Sequence, residues 1–411
     1  MSYAIAMFSV HTSPLDDPGR TKDAGGMNVY IRELARALAQ RHLSIDIFTR
    51  WTDPTLPQIV QLYPHVRVIH IQAGPLAPLH KHDLYQYMAL FAHNVEEFRQ
   101  RENLHYALVH SHYWLAGLVA MKLACLWNVA HVTMFHTLAR LKQTANPDGS
   151  EPATRLAMEQ KLVQRADRII AATADERTQI MRYYGVAPQH VATIPCGVDL
   201  HLFQPYDKRS ARVQLALPFH HPIVLFAGRL DPFKGPDLLL HAAALLEEDV
   251  HIVIVGGMLA GDDEVMKLRA LAADLQIDAR VHFLGARPQQ HLPLLYSAAD
   301  VTVVPSYHET FGMAAIESQA CGTPVVATRA GGLTTAVRDG ETGFLVERGP
   351  GFFAERIDAL LRDTALHAAM SAACRDAVVQ FSWQAIAQQV DELYTALVDD
   401  VEPCDVPCLV V

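Results

Sequence analysis

The sequence predicts an α/β protein built of two successive doubly wound units, each a parallel sheet with helices on both faces. Three observations predict it. Short apolar, β-rich runs alternate with longer amphipathic patterns, the rhythm of repeated strand–helix–strand units. The runs are apolar along their length rather than at every second residue, so both faces of each sheet are buried, as in parallel sheets. The alternation stops over residues 198–221 and then starts afresh. With 411 residues, 50% hydrophobic and 19% charged, each unit has about 200 residues, enough for a core of its own.

The first series of runs is YAIAMFSV (3–10), LSIDIFTR (43–50), VRVIHI (66–71), YALVHSH (106–112), HVTMFHT (131–137), RIIAAT (168–173) and VATIPCG (191–197). Amphipathic segments lie between several of them, such as VYIRELARALAQRH (29–42) and the stretch around 152–166. The second series is PIVLFAG (222–228), VHIVIVGG (250–257), RVHFLG (280–285), DVTVVPS (300–306), TPVVAT (323–328) and TGFLV (342–346). These series define a first domain over 1–205 and a second over 206–382. A last helical stretch, WQAIAQQVDELYTALVD (383–399), packs either on the second domain or back on the first. Ligands of such sheets bind beyond the carboxyl ends of the strands, so the expected site is a cleft between the two domains.

Charge and composition exclude several classes. Lys and Arg number 34 and Asp and Glu 44, a formal charge of −10. That balance argues against a general nucleic-acid binder or a protein for anionic membrane surfaces, and leaves room for a local basic pocket. No stretch of 18 apolar residues exists, so no transmembrane helix is expected. The start, MSYAIAMFSVHTSP, reads as a buried strand and not a signal peptide, which places the chain in the cytoplasm. Cys125, Cys196, Cys321, Cys374, Cys404 and Cys408 show no zinc spacing and read as reduced thiols, with a disulfide or metal site in the Cys404–Cys408 tail as the alternative. Asp262–Asp263 and Asp399–Asp400 read as solvated charge, and no Asp-x-Asp metal motif stands in a suitable place. Of 22 histidines, 12 lie in the first 136 residues, an excess that asks for an explanation.

Three segments carry chemistry. In PSYHETFGMAAIESQACGTPVVATRAGG (305–332) a strand exit is followed by Glu309, a turn at Gly312, and a helix with Glu317 two turns in. The two carboxylates suit sugar or ribose hydroxyls, and the helix N-terminus suits an anion. In FAGRLDPFKG (226–235) a strand delivers Arg229 to its carboxyl end and Lys234 follows in a turn, two cations suited to a diphosphate. In TKDAGGMNVYIRELARAL (21–38) Gly25–Gly26 precede an amphipathic helix, yet this is neither G-x-G-x-x-G nor a P-loop. Taken singly, each has a plain alternative: a helix cap, solvated loop charges, an ordinary loop.

Together these segments resemble the family 4 retaining glycosyltransferases of the GT-B fold, over almost the whole chain. SVHTSP (9–14), DAGGMNVY (23–30), HSHYW (110–114), FHTLARLK (135–142) and EPATR (151–155) are most similar to the branch that glycosylates inositol phosphate in mycothiol synthesis, with sucrose-phosphate synthases as near relatives. The resemblance implies transfer of N-acetylglucosamine or glucose from a UDP-sugar to a phosphorylated acceptor such as 1D-myo-inositol 3-phosphate. It implies no cofactor for the chemistry, is compatible with bound magnesium, and suggests a homodimer. Its donor set is Gly26, Arg229, Lys234, Arg287, Glu309, Phe311, Gly312 and Glu317. Arg229 and Lys234 would hold the diphosphate, Glu317 the ribose, Glu309 the sugar hydroxyls, and Arg287 the base through its backbone. His136, at the end of the strand HVTMFHT, would sit beside the donor sugar. His11 and Asn28 would line the acceptor site, and Lys81, Tyr113, Thr137 and Arg155 would form its phosphate pocket. The other readings are a sucrose-phosphate-synthase-like or other family 4 hexosyltransferase, and a non-catalytic nucleotide-sugar sensor.

Overall fold

A computed structural model of the chain describes residues 3–16, 25–145, 151–258 and 262–399. Residues 3–16, Met27–Pro195 and 384–399 form one compact unit; Cys196–Trp383, with Gly25 and Gly26, form the other. The chain thus passes into the second unit at Pro195–Cys196, ahead of the 205 edge read from the sequence.

The first unit carries β1 (Ala4–Phe8), β2 (Ser44–Arg50), β3 (Ile59–Tyr63), β4 (Val66–Ile71), β5 (Leu108–His112), β6 (Ala130–Met134), β7 (Arg168–Ala171) and β8 (Val191–Thr193). They form one sheet in the order β3-β4-β2-β1-β5-β6-β7-β8. The switch in winding direction falls between β1 and β5, where ligands enter such sheets. The sheet is not wholly parallel. β3 runs antiparallel to β4, and no run was expected at 59–63. It is an edge strand, only partly buried, so its sequence lacks the continuous apolar signal of the others. His65 turns the hairpin with φ 63°, and the Gln61 side chain donates to the carbonyls of Tyr63 and Val66 across a bulge. Helix Trp114–Trp127 is apolar on nearly every side because it packs against both Met88–Arg101 and Ala153–Arg165.

The second unit carries β9 (Ile223–Ala227), β10 (His251–Val255), β11 (Val281–Gly285), β12 (Val301–Val304), β13 (Val325–Thr328) and β14 (Gly343–Val346). All pairs are parallel, in the order β11-β10-β9-β12-β13-β14, with the switch point between β9 and β12. Val224, Ile252, Val301 and Val326 are fully buried in this core.

From Gln384 the C-terminal helix Trp383–Asp399 belongs to the first unit. Tyr394 is fully buried there, its hydroxyl 2.5 Å from His110 Nδ1, and Asp391 pairs with Arg41 at 2.8 Å. Asp262, expected as solvated charge, instead caps helix Asp263–Asp274 by accepting from Glu264 N–H. Cys196, Cys321 and Cys374 are buried free thiols. Cys125 corrects the reading of reduced thiols throughout: it is disulfide-bonded. Asp400, Cys404 and Cys408 lie outside the described residues. Among the described residues no helix is long and apolar enough to cross a membrane.

Candidate active site

The second unit concentrates polar side chains at the carboxyl ends of the two strands that flank its switch point. β9 ends at Ala227 and is followed by Gly228 and Arg229, whose exposed guanidinium meets Asp231 at 3.3 Å. Asp231 also caps the short turn Pro232–Lys234 by accepting from Phe233 N–H. Gly235 ends that turn with φ 68°, and a Cβ there would stand 2.4 Å from the Pro305 carbonyl oxygen. Only glycine lets the Lys234 turn lie this close to the exit of β12.

The consequence is a direct contact. Lys234 Nζ donates to Glu309 Oε1 at 2.7 Å, and Ser306 Oγ donates to the same oxygen at 2.8 Å. Burial alone would raise the Glu309 carboxyl; the Lys234 charge and these hydrogen bonds outweigh it and hold it below the ordinary range. The sequence assigned the cation to a diphosphate and the carboxylate to sugar hydroxyls. The structure brings the two together, each neutralising the other.

Helix Met313–Ala320 begins after Gly312, which has φ 96° and whose Cβ would meet Leu333 Cδ2 at 2.7 Å. Glu317 therefore sits one turn into the helix, not two. It is buried, accepts from Tyr296 OH at 3.0 Å, and burial pushes its carboxyl up to about 7, with hydrogen bonds from Tyr296 and Gln289 pulling the other way. Arg287 is exposed in the loop after β11, two positions ahead of Gln289, so this loop and Glu317 are neighbours. The Phe311 ring is buried edge-on against Phe381, so its place in the expected donor set would be filled by its backbone. Gly26 opens helix Gly26–Ala39 and is exposed.

In the first unit the expected residues gather beyond β1, β5 and β6, at the switch point. The His11 and Tyr113 rings lie 4.3 Å apart. Tyr113 leaves β5 with φ 76° and its N–H bonds to the Met134 carbonyl at 2.9 Å. β6 stops at Met134 and does not run on to Thr137. His136 takes φ 58° and Thr137 N–H reaches back to the Phe135 carbonyl at 2.6 Å, a tight turn no strand can continue through. Asn28, expected in the acceptor site, gives its amide hydrogens to Thr12 Oγ1 and the Ser13 carbonyl, and so fixes the loop after β1.

Arg155 is 1% exposed, with its guanidinium 4.9 Å above the Tyr113 ring. It donates to Glu159 at 2.7 Å, Glu151 at 2.8 Å and the Thr137 carbonyl at 2.7 Å. Tyr113, Thr137 and Arg155 are thus together. Lys81 opens the turn Lys81–Asp83, and the charges of both Glu151 and Arg155 act on the adjacent His82, which puts that turn in the same neighbourhood. The sequence reading missed Glu151 and Glu159, which already neutralise Arg155. Glu159 stands four residues after Arg155 on one helix, a spacing that predicts such a pair. It also missed Ser306 and Tyr296, the partners of Glu309 and Glu317.

Among the described residues no cluster of three or more His, Cys, Asp or Glu stands ready to hold a metal ion. What the two switch points offer instead is cations, hydroxyl acceptors and aromatic faces, the chemistry of a phosphorylated, hydroxyl-rich ligand.

The family described as Glycosyltransferase Family 4 matches residues 24–202, and that described as Glycosyl transferases group 1 matches 207–377. The chain is 42% identical over 402 residues to the D-inositol 3-phosphate glycosyltransferase of Corynebacterium efficiens, covering 95% of each. It is 44% identical over 403 residues to that of Streptomyces bingchenggensis, covering 95% of this chain and 88% of the relative. The chain belongs to the family 4 glycosyltransferases. Among solved structures, sucrose-phosphate synthase from Thermosynechococcus elongatus superposes with a TM-score of 0.89 at 36% identity, covering 97% of this chain and 99% of that one. Anabaena HepE, in complex with UDP and glucose, shares the fold with a TM-score of 0.76 at 24% identity, covering 96% and 100%. This glycosyltransferase therefore consists of two Rossmann-like domains of the GT-B type, as its motifs implied.

Proposed function

We propose that this glycosyltransferase moves a hexose, N-acetylglucosamine or glucose, from a UDP-sugar to 1D-myo-inositol 3-phosphate or a similar phosphorylated acceptor, with retention at the sugar carbon. The observation that carries the reading is the Lys234–Glu309 contact at the β9/β12 switch point. A cation for a diphosphate and an acceptor for sugar hydroxyls occupy one spot, as a bound nucleotide sugar requires. The acceptor rests on relatives named D-inositol 3-phosphate glycosyltransferase at 42% and 44% identity.

In this reading the donor C1–O bond loosens and negative charge builds on the diphosphate. Arg229, Lys234 and the N–H groups beyond Gly312 stabilise it without reorganising. The acceptor hydroxyl attacks from the same face and gives its proton to the departing phosphate, so neither carboxylate acts as a nucleophile. The chemistry needs no metal, and the protein works in the cytoplasm.

A donor–acceptor matrix tests the proposal. UDP-N-acetylglucosamine, UDP-glucose, ADP-glucose and GDP-mannose are each offered with inositol 3-phosphate, fructose 6-phosphate or buffer. Turnover is expected with a UDP-sugar and inositol 3-phosphate, and lost when the acceptor is dephosphorylated. Preference for fructose 6-phosphate would favour the sucrose-phosphate-synthase-like reading, and UDP binding without turnover a sensor.

A further inference from the structure

Glu309, at the exit of β12, has two donors on one carboxylate oxygen and none on the other. Lys234 Nζ and Ser306 Oγ both reach Oε1, at 2.7 and 2.8 Å. The direction of the serine bond is settled by chemistry: an ionised carboxylate only accepts, so the hydroxyl donates. Oε2 receives no hydrogen bond and is not sealed from solvent. It is the corner of the carboxylate that a ligand can meet.

The two donors on Oε1 differ in how firmly they are held. Lys234 stands on a loop with its side chain 24% exposed, whereas Ser306 is 1% exposed. The backbone on either side of Ser306 is pinned. The Pro305 carbonyl lies against Gly235, and Tyr307 N–H donates to the Phe233 carbonyl at 2.8 Å. Glu309 is pinned too, its carbonyl accepting from Gly332 N–H at 2.8 Å. With both backbones fixed, the freedom left lies in the Glu309 side-chain torsions, and holding them in one rotamer has an entropic cost that a bond must offset. In the function proposed above, Lys234 turns to the donor diphosphate. Glu309 then keeps a single hydrogen bond, the one from Ser306.

We propose that Ser306 is a positioning residue for sugar transfer: it retains Glu309 Oε1 when Lys234 goes to the diphosphate, and so keeps Oε2 turned towards a sugar hydroxyl. Its part in transfer rests on the proposed function; the Ser306–Glu309 bond does not. The same bond helps to keep the carboxylate ionised. Burial pushes Glu309 up, and the Lys234 charge, the hydrogen bonds from Lys234 and Ser306 and the charge of His308 pull it down. Of these, Ser306 is the buried, uncharged one, with no phosphate to pair with instead.

The test uses the full-length protein with 13C-labelled glutamate carboxyls, the Glu309 signal being identified by its loss in Glu309→Gln. Ser306→Ala should titrate Glu309 at a higher pH than wild type. Its kcat/KM with the UDP-sugar should fall roughly tenfold or more, the worth of one hydrogen bond to a charged group. UDP alone should bind as tightly as to wild type by calorimetry, because Glu309 meets the sugar and not the nucleotide. Ser306→Thr keeps the hydroxyl and should restore most of the titration and the turnover. A folded Ser306→Ala protein with unchanged titration and turnover would overturn the proposal. So would an equal loss of affinity for UDP, the mark of a loop that has merely slackened. If Ser306→Ala does not fold, Ser306→Cys, which keeps the shape and weakens the donor, should shift titration and turnover in the same directions, and no shift in either overturns the proposal. Absence of turnover with every donor refutes the proposed function and leaves the titration to judge the bond.

Discussion

The two switch points of this protein handle charge in opposite ways. In the second unit the cations stand on loops, part-exposed: Arg229 meets Asp231 at 3.3 Å, and Lys234 holds Glu309 at 2.7 Å. In the first unit Arg155 is shut in a buried network with Glu151, Glu159 and Thr137, and the surrounding histidines are held neutral. A loop cation can trade its carboxylate for a phosphate at little cost to the fold. A buried one cannot leave its partners without exposing them. Under the proposed function, the second unit's charges suit a ligand that comes and goes with each turnover, and the first unit's suit a framework of fixed shape.

The sharpest way to break this contrast is Arg155→Met. It strands the fully buried Glu159 and should cost about 3–5 kcal/mol of stability, read by thermal or denaturant unfolding. An unfolding midpoint close to wild type would show that Arg155 is held as loosely as the loop cations. Next is Lys234→Ala. The fold should persist by circular dichroism while kcat drops by about 10²–10³, the usual loss of one preorganised charge contact; full activity would remove Lys234 from the diphosphate site.

Glu317 gives an effect of intermediate size with a defined sign. Its folded carboxyl stands at about 7 and its unfolded one near 4.3, so between those values the folded state keeps a proton that the unfolded state has lost. Stability should fall as pH rises through that window, by about 4 kcal/mol at most. Glu317→Gln should remove the slope, raising the melting temperature at pH 8 relative to wild type and leaving it little changed at pH 4. A parallel decline in both proteins would place the titration elsewhere. The smallest effect is Arg229→Ala. Its exposed pair should change unfolding stability by under about 1 kcal/mol, while UDP binding measured by calorimetry weakens. A large loss of stability would make Arg229 part of the framework.

Most of the architecture was legible because buried parallel strands write themselves as apolar runs, and every run named from the sequence contains a strand. β3 was not, since an edge strand with one open face and Gln61 at its centre carries no such run. At the site, the strand exits carrying Arg229, Glu309, Tyr113 and His136 were readable from position. Their partners were not. Whether Lys234 reaches Glu309, 75 residues away, depends on how closely Gly235 lets two loops approach, which no local pattern encodes. His136 looked like the end of a strand because HVTMFHT is apolar and β-rich almost to its last residue; the left-handed turn that ends it has no sequence mark.

The crossing of the final helix has a consequence for synthesis. The first unit is the earlier part of the chain, yet Tyr394, which fills its interior beside His110, is made only after the whole of Cys196–Trp383. A nascent chain that has emerged only as far as Trp383 holds the whole of Cys196–Trp383 and a first unit still lacking that helix. Domains usually mature in the order they leave the ribosome. Here the first-made unit is the last to be completed, so premature termination before residue 384 leaves the N-terminal sheet with an open face and the second unit intact.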